Sequence, residues 1–302
     1  MRSGRAVQAC RPSSRSRLEL KPQGRFDLPD RTAERGRHTE AGSPVVPRER
    51  KGYAVRWAFL ARVKRTMSEV RDVLRREIKV LTFDQYGTIV DMQSGLTEAV
   101  TPFLKQKGWD GNPNNFVTWW RRTHFENSMI DALCDRGHTP YRQIGHRAVS
   151  YVMDRCGIAY TDEEVSWLVS EIEKLKPFPD VVAALEKLRS EGYKLAILSN
   201  GDRDMLKAAG PHIGFSFDHV ISVQEAGYFK PHWKTYAKAE EIIRHDRSSI
   251  LFVANHAFDC IGAKSYGMRT AFIDRRKRPF GQTPHQPDLI AANFAELADT
   301  LT

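Results

Sequence analysis

The 302-residue chain has only four cysteines, Cys10, Cys134, Cys156 and Cys260, and no two stand in Cys-x-x-Cys spacing. That spacing points to neither a zinc site nor a disulfide framework, so reduced thiols and a cytoplasmic location are expected. No stretch approaches the roughly 18 consecutive apolar residues of a membrane span, and the N-terminal stretch lacks the apolar segment of a secretory signal. Gly-rich nucleotide loops, Walker sequences and internal repeats are also missing. Acidic residues are scarce at the start: residues 1–66 carry 17 Lys+Arg against 6 Asp+Glu, which leaves 30 against 31 for the remainder. The formal charge of +10 therefore belongs to the leader, and the body shows no basic signature of a nucleic-acid-binding protein.

The leader, residues 1–66, is rich in Arg, Ser, Gly and Pro and has no hydrophobic periodicity, so it is expected to be disordered. It reads best as upstream sequence from a misassigned start, with Met67 opening the protein; a basic tail for nucleic acid is the competing reading. The remainder alternates short apolar runs with helical patterns. "IKVLTFD" (78–84), "KLAILSNG" (194–201), "FDHVISV" (217–223), "SILFVAN" (249–255) and "RTAFID" (269–274) read as buried parallel strands. Between the first two lie "LTEAVTPFLKQKG", "NFVTWWRRTHFENSMIDALCDRG", "YRQIGHRAVSYVMDRCG" and "DEEVSWLVSEIEKL", four amphipathic helices separated by Gly or Pro breaks. The expected fold is α/β: a doubly wound parallel sheet from 67–93 and 178–302, with a helical cap inserted at 94–177. Ligands of such sheets sit at the carboxyl ends of the strands, where Asp84, Ser199 and the residues after Val253 fall.

A lone aspartate at a strand end is weak, but the ordered set is not. Asp84-x-Tyr86-Gly87-Thr88, then Ser199-Asn200-Gly201, then Lys230-Pro231, then Asp259 after "LFVANHAF" resembles the four motifs of the haloacid dehalogenase superfamily. The likeness spans nearly all of residues 78–298 and is greatest to the L-2-haloacid dehalogenase branch, through "LAILSNG" and Tyr236, six positions after Lys230. The cap segment "WWRRTHFENS" resembles the branch's Trp-Arg segment and places its arginine at Arg121.

Tyr86 stands where phosphatases of this fold carry a second acid, and Asn255 where magnesium-dependent relatives carry an aspartate. A phosphatase needs that acid to protonate an alkoxide and a metal to neutralise a dianion. Halide leaves without a proton, and a monocarboxylate needs only one cation. The resemblance therefore implies a metal-independent enzyme with no cofactor, acting on a small halocarboxylate, and a homodimer. It implies that Asp84 attacks carbon to form an aspartyl ester, with Lys230 keeping Asp84 ionised and Thr88 orienting it. Asp259 would handle the hydrolytic water. Arg121 and Asn200 would hold halide, and Ser199 with the backbone amides after Asp84 would hold the carboxylate. Gln85, Tyr86, Tyr236 and Phe258 complete the expected substrate site. An azetidine-2-carboxylate type of ring opening, a phosphatase, or a nucleic-acid-binding protein on a vestigial fold are the alternatives.

The branch's Ser-Ser-Asn-Ala-Trp-Asp run is here Ala254-Asn255-His256-Ala257-Phe258-Asp259. His256 is thus either a general base for ester hydrolysis or a replacement for the asparagine's hydrogen bond. Asn127 takes a cap position often held by tyrosine, which puts the pocket wall in question. Trp119, Trp120 and Phe125 read as core or pocket wall, and His124, His138 and His146 as surface or packing residues. "DRRKRPFG" (274–281) reads as a solvated loop.

Overall fold

Five of the strands form where apolar runs have turn residues behind them. In the computed structural model, which describes residues 68–135 and 137–302, residues 68–77 form helix α1 and lead into β1 (Val80–Phe83), every residue of which is buried. The other strands are β2 (Lys194–Ser199), β3 (His219–Ser222), β4 (Ile250–Ala254), β5 (Arg269–Ile273) and β6 (Leu289–Ala291). They pair in parallel in the order β3-β2-β1-β4-β5-β6. The chain runs outward from β1 to β3, then crosses to β4 on the other side of β1, so the topological switch lies between β1 and β4. That is where a sheet of this order leaves a crevice beyond its strand ends. The Asp84 amide donates to Val253 O at 3.0 Å and closes that end of the β1–β4 pair.

Beyond the five expected strands the sheet has a sixth, β6. Its three residues sit in a turn-rich stretch, and Ile290 is exposed, so only pairing with β5 defines it. The expectations for residues 1–66 and for Met67 lie outside the described residues.

The helical segment between β1 and β2 comprises α2 (Met92–Gln106), α3 (Pro113–Cys134), α4 (Tyr141–Cys156), α5 (Asp162–Ser170) and a 3₁₀ turn (Glu171–Lys174). Helix α2 starts four residues earlier than its apolar pattern indicates, because the Asp91 carboxylate accepts the Ser94 amide at 3.0 Å and caps it. Asn112 caps α3, with Pro113 in its first turn, and Thr161 and Glu164 form a capping box on α5. The chain leaves and rejoins the sheet side by side: Asp91 N donates to Lys176 O and Phe178 N to Ile89 O, each at 3.0 Å.

Helix α4 has no cap of its own. Its first amides, Tyr141 N and Arg142 N, donate to the buried Asp202 carboxylate at 2.8 and 2.9 Å, from the loop after β2. A carboxylate at a helix N-terminus satisfies orphan donors and matches the dipole. This contact fixes Tyr141 above the strand ends. The remaining helices, α6 (Val181–Ser190), α7 (Arg203–Ile213), α8 (Trp233–Ile243), α9 (Ala257–Tyr266) and α10 (Phe294–Leu301), alternate with the later strands.

Candidate active site

The loops after β1, β2 and β4 and helix α3 enclose a cavity of about 90 Å³. Asp84, one residue past β1, forms its floor and is buried. Each carboxylate oxygen has a separate partner. Lys230 Nζ donates to Oδ1 at 2.9 Å, and Thr88 Oγ1 donates to Oδ2 at 2.7 Å. Thr88 Oγ1 itself accepts the Asn255 amide at 2.9 Å, which directs its proton toward Asp84.

Lys230 Nζ also donates to Asp259 Oδ2 at 2.9 Å, so one ammonium, 1% exposed, bridges two carboxylates. Burial works against charge at all three groups, and the partners decide the outcome. Burial would raise Asp84, but the Lys230 charge and the His256 hydrogen bond hold its carboxyl well below the usual range. Burial raises Asp259, and the Lys230 charge does not fully offset that and the neighbouring Asp84. Burial would lower Lys230, yet Asp259 and Asp84 raise it above its ordinary value. Asp84 is therefore ionised throughout the physiological range.

Gly87 has φ +88°, and a Cβ there would lie 3.1 Å from His256 Cε1 and 3.3 Å from Arg121 Nη2, so only glycine lets both side chains approach. His256, the residue before α9, places Nδ1 3.4 Å from Asp84 Oδ2. Arg121 Nη1 donates to Gln93 Oε1 at 2.7 Å. Burial, then the charge of Arg276, lowers the Arg121 guanidinium to about 10, still cationic at neutral pH. Tyr86 stacks on Tyr141 with ring centroids 5.5 Å apart, and its hydroxyl lies where a Cβ on Gly201 would be, at 2.6 Å. Burial raises Tyr86 well above the usual phenol value, so it stays neutral.

Of the expected site residues, Asp84, Tyr86, Arg121, Asn200, His256, Phe258 and Asp259 line the cavity. Lys230 and Thr88 reach it through Asp84. Three expected substrate contacts lie elsewhere. Tyr236, on α8 packed against α9, is buried and reaches Asp259 rather than the cavity, its hydroxyl 3.2 Å from Asp259 Oδ1. Ser199 Oγ is buried and accepts the Gly201 amide at 3.2 Å. The Gln85 carboxamide is buried away from the cavity without a hydrogen bond among the described residues. Asn127 also misses the pocket wall: it lines a separate surface groove with Trp119 and Arg155.

Helix α3 explains the last point. Arg121, His124, Phe125 and Ser128 follow i, i+3, i+4, i+7 spacing and share the face over the cavity, which excludes Asn127. Of the two readings of His124, surface or packing, the structure shows packing, here in the cavity wall. His124 is 1% exposed, its ring lies tilted against Tyr141 with centroids 3.9 Å apart, and burial lowers it to about 3, so the ring is neutral. With Met92 and Tyr141 it forms wall that the motifs do not mark.

Asp84, His256 and Asp259 present ligand atoms within 4.8 Å of one another, as a divalent cation requires. The Lys230 ammonium already occupies the position between the carboxylates. Asn255 turns away and donates Nδ2 to Gly87 O at 2.8 Å. An octahedral magnesium site does not fit this donor set.

The sequence pattern of the haloacid dehalogenase-like hydrolase family matches residues 78–267. The chain belongs to that family. Haloacetate dehalogenase H-2 of Moraxella sp. (strain B) is 30% identical over 215 residues, 70% of this chain and 93% of that protein. The (S)-2-haloacid dehalogenase of Pseudomonas sp. (strain YL) is 32% identical over 212 residues, 68% of this chain and 88% of that one. Among solved structures, the L-2-haloacid dehalogenase of Xanthobacter autotrophicus with chloropropionic acid covalently bound superposes with a TM-score of 0.65. It is 28% identical and covers 74% of this chain and 97% of that one. As a family member, the chain places its first-motif aspartate, Asp84, at the β1–β4 switch point.

Proposed function

We propose that the protein is a metal-independent 2-haloacid dehalogenase that hydrolyses short-chain 2-haloalkanoic acids to 2-hydroxy acids. The observation that carries this reading is an ionised Asp84 facing a small cavity lined by aromatic rings and the Arg121 cation, with no second acid at position 86. At about 90 Å³ the cavity is smaller than the roughly 150 Å³ that admits benzene, a size that suits a two- or three-carbon acid.

Asp84 attacks C2 in line, the carbon–halogen bond breaks with its electron pair on halide, and an aspartyl ester forms with inversion. The amides of Gln85 and Tyr86 make no hydrogen bond among the described residues and receive the substrate carboxylate. Gln85 therefore acts through its backbone. Arg121 and Asn200 face the departing halide. Asn200 is oriented because its Oδ1 accepts the Lys230 amide at 3.0 Å. Water then attacks the Asp84 carbonyl carbon, and the 2-hydroxy acid leaves as the carboxylate returns.

His256 takes the water proton in this account. Its Nδ1 faces the Asp84 carboxylate, which leaves Nε2 as the acceptor, whereas both Asp259 oxygens already accept hydrogen bonds, from Lys230 and Tyr236. His256→Asn should slow ester hydrolysis by about 10²-fold or more, so that the esterified Asp84 peptide accumulates in a mass spectrum. Unchanged burst and steady-state rates would assign His256 to hydrogen bonding alone.

Residues 94–177 serve as the cap that keeps bulk water from the ester. A homodimer is the proposed assembly, for which exposed Ile130 and Leu133 on α3 supply apolar surface. The free thiols of Cys134, Cys156 and Cys260 suit the cytoplasm. The test of the activity is halide release from chloroacetate, fluoroacetate and both enantiomers of 2-chloropropionate, with chelator present. Release from at least one, unaffected by chelator, is expected. Release from none would remove the dehalogenase reading, and loss on chelation would remove the metal-free one.

A further inference from the structure

The basic run at 274–281 does not behave as a uniform solvated loop. Arg275 is committed to the fold: Nη1 donates to Asp180 Oδ1 at 2.9 Å, and the guanidinium lies 4.0 Å from the Phe178 ring centroid. The guanidinium groups of Arg276 and Arg278, by contrast, form no hydrogen bond or ion pair with the described residues. Both line a surface basin of about 410 Å³ together with Arg121, Arg122, Gln93 and Thr118. No carboxylate lines this basin among the described residues. Two acids lie nearby: Glu126 pairs with Arg122 at 2.8 Å, and Asp91, which caps α2, keeps its charge within reach of Arg276 and Arg121 without lining the basin.

Arg121 lines both this basin and the catalytic cavity. It is held in that shared wall by Gln93 Oε1 at 2.7 Å, and Gln93 in turn donates Nε2 to Asn114 Oδ1 at 2.8 Å. Burial, then the charge of Arg278, lowers the Arg276 pKa, and the charge of Arg276 reaches Arg121. Four guanidinium groups thus run from solvent to the wall of the cavity. The body as a whole is nearly neutral, 30 basic residues, these four included, against 31 acidic ones from Met67 onward, so this field is local. A cleft lined by one sign of charge raises the local concentration of an opposite ion and its rate of encounter.

We propose that the Arg122–Arg276–Arg278 basin is an anion port, through which small monocarboxylates are drawn to Arg121 and into the catalytic cavity. The port rests on the haloacid reading above, because it needs an anionic substrate at Asp84. Arg276 and Arg278 touch no reacting atom; they act on the approach.

The test is the double variant Arg276→Gln/Arg278→Gln, assayed by halide release with the best substrate of the panel at low and high salt. At low ionic strength kcat/KM should fall on the order of tenfold, with kcat within about twofold because the chemical step is untouched. The difference should close near 0.5 M salt, where the Debye length shrinks to a few ångströms (about 3 Å at 1 M). Equal kcat/KM for variant and parent at low salt would overturn the port while leaving the dehalogenase reading intact. So would an equal loss at every salt concentration, which marks a structural effect. Absence of halide release from the parent protein would overturn the haloacid reading itself and the port with it.

Discussion

Asp84→Asn should reduce halide release by at least about 10⁴-fold, the scale of losses on removing an enzyme nucleophile, while the protein stays folded. The reason for the separation lies in the Lys230 bridge. Asparagine keeps the shape that Thr88 Oγ1 and Lys230 Nζ contact, and Lys230 retains Asp259 as its counter-ion at 2.9 Å. No buried charge is left alone, so the thermal midpoint should move little. Turnover is lost because a neutral carboxamide cannot displace halide from carbon. Full activity in this variant would end the account.

Lys230→Met should affect both stability and rate. It leaves Asp84 and Asp259 buried and facing each other without the ammonium. Breaking a buried ion pair by removing one partner costs about 3–5 kcal/mol, measurable by denaturant unfolding. The sign of the pH effect follows from the same charges. Lys230 is the principal group opposing the burial that raises Asp84, so without it the Asp84 pKa rises. The rate then falls as pH drops through that raised value, whereas in the parent Asp84 stays ionised and contributes no limb near neutrality. At pH 7 a loss of about 10²–10³-fold is expected, as for removal of one preorganised electrostatic donor. Adding Asp259→Asn should restore part of the stability without restoring activity, because the repulsion is relieved but the cation is still missing. Additive destabilisation in the double variant would contradict the bridge.

The strand-end side of the candidate site was legible in its placement because its residues are tied to strand ends. Asp84, Asn200, His256 and Asp259 follow β1, β2 and β4 by one to five residues, and parallel pairing brings those ends together whatever the helices do. The α3 side was legible only in part. Arg121 was marked by its motif, but which neighbours share its face depends on the rotation of α3, and that is set by packing against α2 and α4. His124 and Phe125 turn inward and Asn127 outward for that reason, so a position-by-position resemblance misplaced Asn127 and passed over His124. Tyr236 was recognisable as part of the motif set but not as a support for Asp259, since chain order carries no depth. The Asp202 carboxylate on α4 was invisible for a related reason: its partners, Tyr141 N and Arg142 N, are 61 and 60 residues away. The short strand β6 had no period to read.

These pieces meet in one claim, that Asp84 is esterified during turnover. A single turnover with enzyme in excess of haloacid in ¹⁸O water tests it directly, because the water oxygen enters the carbonyl carbon of Asp84 and the original carboxylate oxygen leaves with the product. The account predicts ¹⁸O in the peptide containing Asp84 and none in the first-turnover hydroxy acid. Label in the product, with the Asp84 peptide unlabelled, would mean that water attacks the substrate carbon itself and would contradict it.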